Sequence, residues 1–251
     1  MRALHLYSVT VGTALLSFTV GAAPVVPGPV YQIALSHQNS NGLVGNSPGS
    51  YTLGNASASV DVLPAISLSA HSIGSEDPLS DQLINGGSAR LTYYYGVDGP
   101  LANLLVPLSV TYVMRTSVVP PVSYATVASA SLVVVGSSLS IDKRIISGGL
   151  GNGLSSSESA TAPFNQLSGR TGSVELTVGA QTLAGGLADA FIDPFIFIDP
   201  EFLQSNPGYT VIVSRGIGNV APVGNVPGPA TVWLLGTAVA GLAMRRRLPR
   251  R

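Results

Sequence analysis

Few side chains in this chain can do covalent or metal chemistry, and their spacing narrows the options further. There is no cysteine, which removes disulfides, thiolate metal sites and any cysteine nucleophile. Gly45-Asn46-Ser47-Pro48-Gly49 matches the outline of a serine nucleophile elbow, a motif that works only where a strand turns sharply into a helix. Here Pro48 follows the serine, polar loop sequence surrounds it and no helical pattern comes after. A triad also needs a base, and beyond the first 22 residues the only histidines are His37 and His71, neither in a recognisable motif. No hydrolase triad is expected.

The acids Asp189, Asp193, Asp199 and Glu201 fall within 13 residues. Hard cations take several carboxylate and carbonyl oxygens, which makes Asp193 and Asp199 the calcium candidates. The dipeptides Asp193-Pro194 and Asp199-Pro200 equally fit strand ends or edge positions, and no Asp-x-Asp-x-Asp-Gly loop is present. A paired-carboxylate glycosidase could use the same acids. It would want an aromatic-lined cleft, and the single tryptophan, Trp233, lies in the C-terminal tail. Tyr93, Tyr94 and Tyr95 make a sugar-stacking platform if Tyr94 faces outward, and ordinary strand packing otherwise. Gly149-Leu150-Gly151-Asn152-Gly153 lacks both the lysine and the helix of a phosphate-binding loop. No regular threonine array of the kind found on flat ice-binding faces is visible. The expectation is a protein without catalytic residues or cofactor, and with no metal beyond the calcium option.

The elements that would carry these residues read as strands. Gly, Ser, Thr, Val and Ala dominate while charged residues make up 10%, a composition that suits short strands and turns. Residues 24–53 read as loops with one or two edge strands. A strand candidate at 58–70 is interrupted by Pro64. Leu91, Tyr93, Tyr95 and Val97 alternate onto one face, as do Leu108, Val110, Tyr112 and Met114. Residues 123–141 are long for one strand and fit two, bent near Gly136. Residues 147–161 read as a flexible Gly/Ser loop. Residues 173–178 alternate cleanly, while 191–198 and 209–213 are apolar enough for buried strands. Roughly eight strands at this spacing predict an all-β fold: a single β-sandwich, jelly-roll-like in one version, over residues 23–225.

The net charge of zero conceals a division. Of the 12 basic residues, Arg2 opens the chain and Arg245, Arg246, Arg247, Arg250 and Arg251 close it, leaving six in the body against all 12 acids. A body at about −6 has no basic face for nucleic acid. The N-terminus has the layout of a secretory signal peptide over residues 1–22: Arg2, an apolar stretch from Leu4 to Val20, then small residues. Cleavage after Ala22 leaves Val20 and Ala22 at the recognition positions, whereas cleavage after Ala23 would put Pro24 just past the scissile bond.

At the other end, Val226-Pro227-Gly228-Pro229 precedes the apolar run 230–244 and the basic tail 245–251. Those 15 apolar or small residues would form a helix of about 22 Å, short of a hydrocarbon core near 30 Å. Arg245, Arg246 and Arg247 favour retention of the extreme C-terminus in the cytoplasm. This order of motif, short helix and arginine cluster resembles the PEP-CTERM sorting domain of Gram-negative bacteria. The likeness covers the last 26 residues: Pro227 and Pro229 match the two prolines, and Gly228 stands where the family has glutamate. It implies a transient inner-membrane anchor, cleavage by an exosortase near Val226 to Pro229, and delivery to the cell surface or exopolysaccharide matrix. Signal peptidase and exosortase are then the processing partners. Tyr93 to Pro100, Phe191 to Pro200 and Ser214 to Asn219 also resemble blocks in uncharacterised PEP-CTERM proteins, which implies a secreted β domain with no activity attached. The sequence expectation is an exported, non-enzymatic surface protein, with a carbohydrate-binding module or an extracellular hydrolase as the alternatives.

Overall fold

Apolar residues at period two, set against Ser, Thr and Gly, are the pattern of strands with one buried face, and the chain folds accordingly. The computed structural model describes residues 23–37, 40–74, 84–119, 126–137, 140–149, 154–182 and 186–220. Thirteen strands occur among them. They are β1 (Val30–His37), β2 (Ser40–Gly45), β3 (Gly49–Leu53), β4 (Ala56–Asp61), β5 (Ser67–Ile73), β6 (Asn85–Asp98), β7 (Leu105–Val119), β8 (Thr126–Val135), β9 (Ser140–Gly149), β10 (Leu154–Leu167), β11 (Thr171–Thr182), β12 (Leu187–Ile198) and β13 (Thr210–Val213). One short helix, α1 (Pro200–Ser205), follows β12.

The strands form two antiparallel sheets. One runs β2-β1-β6-β11-β8-β9, with β13 also on β6; the other runs β10-β7-β12-β5-β4-β3. Between β5 and β12 the pairings are nested: β5 with β12, β6 with β11, β7 with β10, and β8 with β9. A long hairpin rolled across two sheets in this way is jelly-roll connectivity, which the sequence reading offered as one version of the sandwich. The two expected alternating faces are both in the core. Leu91, Tyr93, Tyr95 and Val97 are buried against Leu108, Val110, Tyr112 and Met114 in one hydrophobic cluster.

Four sequence expectations are corrected. The strands outnumber the eight expected, because residues 24–53 contribute three and the 58–70 candidate divides into β4 and β5. Residues 147–161 do not form a loop: 147–149 end β9 and 154–161 belong to β10, whose ladder with β7 runs from Leu154↔Val118 to Leu167↔Leu105. Backbone pairing to a long partner overrides the low strand propensity of serine there. Asp193-Pro194 is not a strand end but lies inside β12. The N–H direction alternates along a strand, so Pro194 shares the side of Ile196 N, which bonds the Asn219 side chain; the missing donor therefore falls where β5 has already left. Finally, 191–198 is buried only at alternate positions.

Two contacts fasten the ends of the described domain. Ser214 Oγ donates to Pro27 O (2.7 Å) and accepts from Tyr94 N (2.9 Å), closing the seam where β1 and β13 meet end to end on β6. Asn219 imitates a strand residue: its Oδ1 accepts from Ile196 N (3.0 Å) and its Nδ2 donates to Ile196 O (2.7 Å). Gly218 N donates to Val62 O, and a side chain at that glycine would collide with the Pro64 carbonyl.

Candidate functional site

β12 is the middle of the six-stranded sheet, and its sequence divides by parity. Ala188, Ala190, Ile192, Pro194, Ile196 and Ile198 are buried inward. Asp189, Phe191, Asp193, Phe195 and Phe197 alternate outward, each half-buried. Acid and aromatic side chains therefore succeed one another every second residue, about 7 Å apart, on the outer face of the sheet.

Neighbouring strands supply mostly polar margins in register, with Val113 opposite Asp193. His71 and Ser117 flank Asp189, Ser69 and Arg115 flank Phe191, and Thr111 and Ser109 lie opposite Phe195 and Phe197. Asp189 Oδ1 accepts from His71 Nδ1 at 2.6 Å, which places the ring proton on that nitrogen when the carboxylate is ionised. The Arg115 guanidinium carbon stands 6.0 Å from the Phe191 ring centroid, within cation–π range. Phe195 and Phe197 stack with centroids 5.6 Å apart. Hydroxyl pairs extend the margins, Ser59 with Ser69 and Thr111 with Thr161, both at 2.8 Å. A depression of about 560 Å³ lies over His71, Arg115, Asp189 and Phe191.

Asp193 is the unusual member. Its Oδ1 is buried with no hydrogen-bond partner, and burial pushes its carboxyl up to about 6. A buried acceptor left unsatisfied costs stability and is a pointer to function. Tyr93 lies beneath in the core, its hydroxyl also buried without a partner; its pKa is raised first by burial and then by the Tyr95 and Asp193 charges.

Ser57 is next to His71 in register, giving a row Ser57–His71–Asp189 across three strands, but Ser57 makes no hydrogen bond to the histidine. Backbone N–H groups of a sheet lie in its plane and are spent on the ladders, so none rises from this face to hold an oxyanion.

The residues singled out from sequence are distributed as follows. Ser47 sits in the bend between β2 and β3, a strand–turn–strand setting rather than an elbow, and its hydroxyl pairs with Tyr51 Oη at 2.7 Å. His37 Nδ1 pairs with Asn85 Oδ1 at 2.9 Å, away from Ser47. Asp199 is the N-cap of α1, accepting from Glu201 N and Phe202 N, while Asp193 is on the sheet face. They do not converge on a calcium site, and no group of three or more potential metal ligands occurs among the described residues. Tyr93 and Tyr95 are core residues, whereas Tyr94 does face outward, on the other sheet, beside Arg170, Ser137 and Ser173 in a depression of about 420 Å³. Ala23 is exposed at the start of the described domain. Ala22, Val226, Pro227, Gly228, Pro229, Arg245, Arg246 and Arg247 lie outside the described residues, as does the helix expected at 230–244. Among the described residues no helix is long and apolar enough to cross a membrane.

Sequence reasoning missed the outward ladder of β12 and the His71–Asp189 pair. The ladder was detectable as acid/aromatic residues alternating with Ala and Ile; the pair, 118 residues apart, left no local signal.

No protein-family model matches the chain, and no curated protein matches it. Among solved structures it is similar to a carbohydrate-binding module in complex with beta-1,4-galactotriose, at 11% identity over 57% of this chain and 87% of that one, with a TM-score of 0.21. It is also similar to carbohydrate-binding modules from the β-sandwich superfamily described as promiscuous in specificity, at 12% identity over 70% and 93%, TM-score 0.21. A third likeness is to infectious bursal disease virus, Gx strain, at 11% identity over 86% and 70%, TM-score 0.16.

Proposed function

We propose that this chain is an exported, non-catalytic carbohydrate-binding protein of the cell surface or exopolysaccharide matrix. The observation that carries the reading is the outward face of β12. Aromatic rings for the apolar faces of sugars alternate there with carboxylates for their hydroxyls, and hydroxyl and guanidinium groups line the margins. Delivery rests on the two ends of the chain: a signal peptide cut between Ala22 and Ala23, and a PEP-CTERM-like tail cut by an exosortase near Val226 to Pro229.

Retention of the mature domain on immobilised matrix polysaccharide tests the binding reading. Wild type should be held and Phe191→Ala should elute early, with reducing-end release at background for both. Equal elution of the two proteins, or steady release of reducing ends, would overturn it. Intact mass of protein from medium and envelope tests delivery. A species beginning at Ala23 and ending near Pro227 supports both cuts, and a chain still carrying Arg251 at the surface removes the exosortase step.

A further inference from the structure

The ladder on β12 also constrains which carbohydrate fits, an inference that rests on the binding reading above. From Asp189 to Phe197 the outward positions extend about 27 Å along the strand, far more than one sugar ring occupies. The contacts repeat along that line instead of converging on a point. Most flanking side chains are small: Ser69 on one side, Ser109, Thr111 and Ser117 on the other. An extended molecule can therefore lie lengthwise between them without meeting a wall of large side chains.

Charge selects further. Asp189 and Asp193 put negative charge on this face when ionised. Sugar hydroxyls are donors and satisfy carboxylates; uronate or sulfate groups would face them as like charges. Arg115 is the one arginine or lysine facing outward on the described part of this sheet, and its guanidinium is over the Phe191 ring. We propose that the site takes a neutral, linear polysaccharide, bound in mid-chain along β12 across several sugar rings, with Phe191 and the stacked Phe195–Phe197 pair as apolar contacts and Asp189 as a hydroxyl acceptor.

The test is titration calorimetry of the mature domain with neutral β-1,4-linked gluco-, manno- and galacto-oligosaccharides of two to eight units, with oligogalacturonates as the anionic control. Affinity for a neutral series should climb about tenfold or more between two and four or five units and then level off, since a longer chain reaches more of the outward positions of β12. Phe197→Ala should lower affinity for the longer members and leave the disaccharide unchanged, whereas Phe191→Ala should weaken all lengths. Thermal unfolding of both variants confirms that they are folded. Affinity independent of length, or stronger binding of the oligogalacturonates, would overturn this inference and leave the carbohydrate-binding reading standing. No binding by any oligosaccharide, together with no retention on matrix polysaccharide, would defeat the binding reading itself.

Discussion

The outer faces of the two sheets are built from different materials although the inner faces are alike. Toward the core both present Val, Leu, Ile, Ala and Tyr. Outward, the seven-stranded sheet shows Ser88, Gly179 and Ser129 in one row, leaving a shallow depression of about 340 Å³. An ion pair lies at its surface, Arg90 with Glu175 at 2.7 Å. The six-stranded sheet instead shows three phenylalanines and two aspartates on one strand, one of them with a buried oxygen that nothing satisfies. Packing dictates the inner faces, so their likeness says little about role. Outward positions are free of that demand, and an arrangement that spends stability there is the informative one.

The largest effect separates core from face. Leu176→Ala, fully buried between the sheets, should cost about 2–5 kcal/mol in urea unfolding. Phe195→Ala, half-buried outside, should cost less than half as much; equal losses would mean that the phenylalanines are core residues and that the contrast between faces is false. Asp193→Asn should act in the opposite direction. The wild-type carboxyl is raised from 3.8 to about 6 in the folded protein. Below 3.8 both states hold the proton. Between 3.8 and 6 the unfolded chain loses it first, so stability falls as pH rises, and the deficit is complete above 6. The Tm of Asp193→Asn should therefore equal wild type near pH 3.5 and exceed it at pH 7.5. A constant difference across that range would remove the burial penalty from the account.

Tyr94→Ala, on the seven-stranded face, should lower stability by about 1 kcal/mol and leave polysaccharide retention intact. Loss of retention would move the binding site to that sheet. Smallest of all, Arg90→Ala should change stability by less than about 0.5 kcal/mol, and less still in high salt, because the pair is solvated.

Much of the sandwich was legible in the sequence where apolar and polar residues alternate, as at 91–97 and 108–114. β10 was not, because its inward positions include Ser156, Glu158 and Ala160, which carry little apolar signal. Tertiary contacts make them inward: Glu158 Oε1 accepts from Tyr112 Oη at 2.5 Å. β12 misled for the opposite reason. Its outward residues Phe195 and Phe197 are as apolar as its inward Ile196 and Ile198, so the run reads as buried on both sides. That half of the ladder was hidden by the same fact, since period two is invisible when both faces are apolar, while Asp189 and Asp193 against Ala190 and Ile192 mark the other half. Asp199-Pro200 does mark the end of β12, as its sequence suggests, but its helix-capping role depends on a helix of only six residues, too short to leave a periodic pattern.

The Asn219 clip on Ile196 has a mechanical consequence. It attaches the C-terminal side of the domain to β12, the strand proposed to hold the polysaccharide. A pull on that side of the domain would load β12 through the clip, where the β7 ladder runs its whole length and the β5 ladder reaches Ile192. Antiparallel ladder bonds stand perpendicular to the strand, so such a load shears many of them together instead of peeling them singly. The domain would then share tension between its central strand and the sheet that β13 joins through β6.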